Sequence, residues 1–125
     1  MLYLYNSFTK KKEEFKSISK SKVKIYVCGM TVYDYCHIGH ARVLVVFDLI
    51  VNWLKKIGYE VIYVRNITDI DDKIIKKSLD EKIEFTDLTN KFITSMHNDS
   101  QKLLLTSPDI EPKATENIDE MITII

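Results

Sequence analysis

Residues 38–67 read IGHARVLVVFDLIVNWLKKIGYEVIYVRNI, and the fold turns on whether residues 38–57 form a strand or a helix. Val43, Val45, Val46 and Phe47 have high β-propensity, yet length and periodicity favour a helix. Asp48, Asn52 and Lys55/Lys56 make a narrow polar stripe at helical spacing, with apolar residues around the rest of the circumference. Gly58 follows Lys55-Lys56-Ile57, a C-terminal glycine with cations at the negative end of the helix dipole. The stretch predicts a largely buried helix over 38–57, with Trp53 in the core.

Working outward, Tyr59–Ile67 runs apolar after Glu60, as expected of a strand covered on both faces. On the other side, Val23, Ile25 and Val27 alternate with Lys22, Lys24 and Tyr26, which predicts a strand over Val23–Cys28. The order β, long α, β, α implies a parallel sheet joined by a right-handed crossover, an α/β fold. Such sheets bind ligands beyond the carboxyl ends of their strands. Here those ends are Cys28-Gly29 and Ile67-Thr68-Asp69.

Further out, Leu2–Tyr5 reads as a short strand followed by a polar, lysine-rich connection. Thr68 or Asp69 is expected to cap the next helix, with Asp71 and Asp72 in its first turn. Ile70, Ile74 and Ile75 would share a face, and Asp69/Lys73 and Asp72/Lys76 would pair across one turn. Another helix, starting near Thr86 and carrying Leu88, Phe92, Met96 and Leu103, is broken at Ser107-Pro108. A last element near Ala114 or Thr115 places Ile118, Met121, Ile122 and Ile125 on one side. It has no C-terminal cap, so residues 1–125 are expected to be the N-terminal piece of something longer.

Composition narrows the classes. At 125 residues, 46% hydrophobic and 29% charged, the chain fits one globular domain. Eighteen basic and eighteen acidic residues cancel, so no global cationic field advertises nucleic-acid binding. Lysines at 10, 11, 12, 16, 20, 22 and 24 cluster, a pattern usual for a solvated face and second for a phosphate-contacting edge. No apolar stretch approaches the ~20 residues that span a bilayer, and the N-terminus carries no secretory pattern. Cys28 and Cys36 are too few for a disulfide framework, which fits the reducing cytoplasm.

The chemistry concentrates in residues 26–42. Gly29, Gly39 and Gly58 lie ten and nineteen residues apart, so neither the dinucleotide fingerprint nor the P-loop can be written. His37 and His40 are three apart at a helix start, where imidazoles can hold phosphate oxygens as charge shifts, or simply cap the helix. Gly39 between them lets a ligand approach the backbone. Cys28, Cys36, His37 and His40 could be joined into one zinc site, but their spacing matches no common finger; a small half-buried thiol suits Cys36 better. Asp69, Asp71 and Asp72 suit the helix dipole better than Mg²⁺. His97 reads as a surface residue, and Arg65 and Asn66 as unassigned groups near a strand end.

Two blocks, Tyr26 through His40 and Tyr63 through Ile75, closely resemble the N-terminal catalytic region of bacterial cysteinyl-tRNA synthetases, which are class I aminoacyl-tRNA synthetases. His37-Ile38-Gly39-His40 matches the class signature letter for letter. The flanks match too, at Leu4-Tyr5-Asn6-Ser7, Lys12-Glu13-Glu14-Phe15 and Asp109-Ile110-Glu111-Pro112-Lys113-Ala114-Thr115, so the resemblance spans essentially the whole chain. It implies a Rossmann-like domain that activates L-cysteine with ATP, Mg²⁺ accompanying the nucleotide, and then esterifies tRNA(Cys) as a monomer. It also implies that Cys28 is one of four ligands of a Zn²⁺ that takes the substrate thiolate. Zinc prefers a soft thiolate to a hydroxyl, so it can separate cysteine from serine where an apolar pocket cannot. His37, Ile38, Gly39 and His40 would bind ATP, His37 and His40 would stabilise the transition state, and Gly29, Thr31 and Thr68 would grip the amino-acid moiety.

The chain departs from that family by omission. Three further zinc ligands and the lysine-rich ATP loop are not found in family context, and Lys73–Lys77 reads as an ordinary helix face. These residues alone are therefore expected to be inactive. A related ligase that joins cysteine to an amino-sugar amine, and a non-catalytic module with a degenerate site, are the other readings.

Overall fold

The structure, a computed structural model, describes residues 2–125. Its elements are β1 (Tyr3–Asn6), β2 (Lys11–Glu14), β3 (Lys22–Val27), α1 (Ile38–Lys56), β4 (Glu60–Arg65), α2 (Asp72–Glu81), α3 (Phe85–Lys102), a 3₁₀ turn (Ala114–Asn117) and α4 (Ile118–Ile124). β1 and β2 form an antiparallel hairpin with Tyr3 opposite Glu14. The lysine-rich connection is thus partly strand: β2 is solvated on nearly every residue, so it needs no apolar pattern to pair.

β3 and β4 pair in parallel, from Lys22 opposite Glu60 to Val27 opposite Arg65, with α1 as the connection. The parallel α/β expectation therefore holds. Val51 and Leu54 of α1 close over Val23, Val27, Val61 and Tyr63 to form one core. Gly58 at φ 96° turns the chain out of α1 into β4, a backbone conformation that glycine adopts without strain.

Two expectations about burial fail. Only Leu44, Val51 and Leu54 of α1 are buried, while Val45, Val46 and Leu49 are exposed and Trp53 is 51% exposed. A helix buries only the stripe that meets another layer, and among the described residues no layer covers the far side of α1. β4 likewise buries Val61, Tyr63 and Arg65 on one face and only half-buries Ile62 and Val64 on the other. Its second edge is covered by residues 109–114, which run alongside in parallel. Arg65 N donates to Ile110 O at 3.1 Å, Ile67 N to Pro112 O at 2.8 Å and Ala114 N to Ile67 O at 3.0 Å.

A second core joins Val32 and Ile67 to Ile74 of α2 and Leu88, Phe92, Ile93 and Met96 of α3. α2 starts later than expected. Thr68 N donates to Met30 O and Val32 N to Thr68 O, so residue 68 stays extended and Asp71 becomes the cap, its carboxylate accepting from Lys73 N at 2.9 Å. Asp69/Lys73 and Asp72/Lys76 form no ion pair; Lys77 pairs instead with Asp34 and Glu81, at 3.3 and 3.7 Å. Of the predicted isoleucine face only Ile74 is buried, Ile70 and Ile75 being 44% exposed. α3 ends at Lys102, which leaves Leu103 outside the helix and exposed. The side chains of α4 are exposed as well. No helix among the described residues is long and apolar enough to cross a membrane.

Candidate active site

The two strand ends meet through one side chain. Gly29 N donates to Asn66 Oδ1 at 2.8 Å, and Asn66 Nδ2 donates to Thr68 Oγ1 at 3.2 Å. Thr31 and Thr68 form a parallel bridge just beyond. The backbones approach so closely that a Cβ on Gly29 would lie 1.6 Å from the Asn66 carbonyl oxygen. Only glycine fits there. The segments Cys28-Gly29 and Ile67-Thr68 thus share one edge, as the topology required, and Asn66 is the clasp that sequence reasoning left unassigned.

The histidines build the opposite wall. His37 is the N-cap of α1, its Nδ1 accepting from Gly39 N at 3.0 Å, while His40 Nδ1 accepts from His37 N at 3.2 Å. A ring nitrogen that accepts an N–H carries no proton, so these bonds assign both rings as neutral imidazoles with Nε2–H as the free donor. The rings lie 3.9 Å apart between centroids, tilted by 32°. Partial burial, and then the neighbouring His37, hold the His40 pKa below its ordinary value. No acid occupies the first turn of α1, so its positive dipole end stays unneutralised.

Cys28, Gly29 and His40 line a common cleft of about 240 Å³, walled by Arg65 and by apolar Met30, Leu44 and Met96. Cys28 is exposed. His37 opens instead onto a neighbouring hollow of about 360 Å³ with Cys36, Ile38, Asp99 and Lys102. Another hollow, about 390 Å³ among Phe15, Lys16, Lys22 and Lys24, includes the start of β3, away from the strand ends.

The four residues of the single zinc site do not line one hollow, since Cys28 and His40 border one and Cys36 and His37 the other. Cys36 Sγ meets Met30 Sδ at 3.3 Å, and both Nδ1 atoms serve the α1 cap. Burial first, then Asp99, push the Cys36 thiol up, which suits a half-buried protonated group. Among the described residues no three His, Cys, Asp or Glu side chains converge on a metal position. The donor set at the cleft is therefore one exposed thiol, which fits one corner of a tetrahedral zinc and not the whole site.

The acidic trio is structural at two of its three positions. Asp71 caps α2, and buried Asp69 accepts from Thr115 N at 3.0 Å and Thr115 Oγ1 at 2.5 Å. Asp72 lies in the first turn of α2. His97 lies at the surface, its side chain 44% exposed, and it has a partner, its Nε2 lying 2.6 Å from Glu111 Oε2. The carboxylate's other oxygen accepts from Arg65 Nε and Nη2, at 3.1 and 2.7 Å. A signal for this pair was present: a charged residue inside the apolar run Tyr59–Ile67 demands a buried partner.

Residues 14–125 match the model of the tRNA synthetases class I (C) catalytic domain. Similar curated relatives include the cysteine–tRNA ligase of Polynucleobacter asymbioticus, 60% identical over 121 residues, or 97% of this chain and 26% of the relative. The cysteine–tRNA ligases of Dechloromonas aromatica and Neisseria meningitidis serogroup B are each 56% identical over 125 residues, all of this chain and 27% and 26% of those proteins. The chain spans about a quarter of the length of the curated relatives it matches.

Proposed function

The chain belongs to the family of class I (C) tRNA synthetase catalytic domains, and from that membership we propose that residues 1–125 are the N-terminal part of the catalytic domain of a cysteine–tRNA ligase. The reaction is ATP-dependent activation of L-cysteine to cysteinyl-adenylate, followed by transfer of the cysteinyl group to tRNA(Cys) in the cytoplasm. The observation that carries this reading is the placement of an exposed thiol and an Nε2–H imidazole in one cleft at the carboxyl edge of a parallel strand pair.

In the first half-reaction a carboxylate oxygen of cysteine attacks the α-phosphorus of ATP and pyrophosphate leaves. Negative charge on the phosphate oxygens shifts during that displacement. Nε2–H donors at His37 and His40, held by the α1 cap and aided by its dipole, stabilise this charge without becoming nucleophiles. Ile38 and Gly39 complete the ATP contact, Gly39 through close backbone approach.

Gly29, Thr31 and Thr68 line the amino-acid subsite. Gly29 N is already used by Asn66, so Gly29 acts by letting the two backbones close. Thr68 Oγ1 accepts from Asn66, which leaves its own O–H to donate. Cys28 would hold one corner of a Zn²⁺ whose other ligands lie outside this chain. When bound, that ion supplies thiolate-selective binding of the substrate.

ATP–pyrophosphate exchange by the full-length protein tests the assignment. His40→Ala should slow exchange about a hundredfold, as loss of one charge-stabilising donor does, with a smaller change in the KM for cysteine. Cys28→Ser should remove bound zinc and the preference for cysteine over serine. Equal exchange in wild type and His40→Ala would sink the role of the histidine.

A further inference from the structure

The Cys28 cleft has a cation in its wall. Arg65 closes β4, is only 4% exposed and borders Cys28, Gly29 and His40 on one side. On its other side it borders a separate cavity of about 260 Å³ with His97 and Ser100, where the buried Ser100 Oγ has no partner. Arg65 is thus part of the partition between two hollows. It cannot escape its charge by deprotonating, so its position and its field depend on a counter-ion.

That counter-ion is Glu111, which lies 46 residues away in the chain. One of its oxygens takes both Nε and Nη2 of Arg65, and the other lies 2.6 Å from His97 Nε2 on α3. Two elements, β4 and α3, therefore hold the carboxylate, one at each oxygen. Residues 110–114 bond along β4 immediately beside it, so the carboxylate arrives in register with the strand end.

We propose that Glu111 is a positioning residue for the cysteine-binding cleft: it pins Arg65 in the partition and cancels its charge, so that the cleft beside Cys28 keeps its depth and a neutral wall. The proposal rests on the reading of that cleft as the cysteine subsite. Without Glu111 the guanidinium has two places to find water, and the cleft at Cys28 is one of them. A free cation there occupies the space of the substrate side chain and opposes the binding of a metal ion. The ATP-facing Nε2–H groups of His37 and His40 belong to α1 and are not held by this pair.

The test uses the full-length enzyme with Glu111→Gln, and Arg65→Met/Glu111→Met as the charge-free control. In ATP–pyrophosphate exchange, Glu111→Gln should raise the KM for cysteine about tenfold and leave the KM for ATP within about twofold. The double variant should return the cysteine KM to within about threefold of wild type, because an apolar pair has no charge to release. A second readout needs no catalysis: chelator-treated protein is alkylated, and Cys28 labelling is followed by peptide mass mapping. Glu111→Gln should raise the ratio of anionic iodoacetate to neutral iodoacetamide labelling several-fold, and the double variant should restore it. Equal rises in both KM values, or a double variant as impaired as the single, would reduce Glu111 to a structural part and overturn the proposal. If the wild type does not activate cysteine, the functional reading fails, while an unchanged labelling ratio in Glu111→Gln independently overturns the placement of Arg65.

Discussion

The two walls of the cleft are held in different ways. The α1 wall stands on local bonds: the His37 and His40 rings are fixed by backbone N–H groups two and three residues away, at a half-exposed helix end. The β4 wall, from Arg65 to Asp69, is held by residues 109–115, through Glu111 on Arg65 and Thr115 on Asp69. Its charged groups, Arg65 and Asp69, are buried, and in that setting a lost partner leaves an uncompensated charge. The comparison teaches that the paired imidazoles sit on a cap of modest strength, whereas the segment from Arg65 to Asp69 is mounted on the more costly part of the structure.

Breaking the β4 wall should therefore do the most damage. Gly29→Ala forces a Cβ into the Asn66 carbonyl, a backbone atom with no rotamer by which to retreat. Its urea unfolding midpoint should fall by an amount worth about 3 kcal/mol, the upper range for overpacking. A midpoint equal to wild type would mean that the strand ends are not clasped.

Thr115→Val should cost less, about 2 kcal/mol, because Asp69 keeps the Thr115 N–H and loses only the hydroxyl. The same unfolding measurement checks it, and Thr115→Ser should recover most of the loss. A valine variant as stable as wild type would show that the wall does not depend on this bond.

The α1 wall gives the smallest signal, which is a pH dependence. The folded chain holds His40 neutral at pH values where the unfolded chain, near the ordinary 6.5, already takes up a proton. Stability should therefore fall as pH drops through 6.5 towards the depressed folded value, then level off below it. Thermal melts across that range, with His40→Asn as the variant that flattens this component, read the sign directly. A melting point that rises on acidification, with His40→Asn reversing the trend, would overturn it.

How much was legible varied with the range of the interaction. β3, α1, β4 and α3 announce themselves through period-2 and helical patterns, and the shared strand-end edge follows from their order. The cap of α2 lies two or three residues beyond the Thr68 or Asp69 that local propensity favours, because Thr68 is held extended by Met30 and Val32. α1 was expected to be largely buried because periodicity records which residues are apolar and not which surface meets them. The pairing of His97 with Glu111 is hidden for a similar reason: the partner lies fourteen residues on, in a segment without periodic pattern.

The sequence by itself determined the parallel βαβ core, the histidine pair at a helix start and the thiol at a strand end. These follow from short-range sterics and periodicity, which act within a few residues. Only the tertiary structure decided that Cys28 shares its cleft with His40 and not with Cys36, that Asn66 ties the strands, and that Glu111 and Thr115 secure the far wall. Those outcomes depend on desolvation. A buried charge or amide must find a partner wherever the chain places one, and that position is set by the packing of the whole fold.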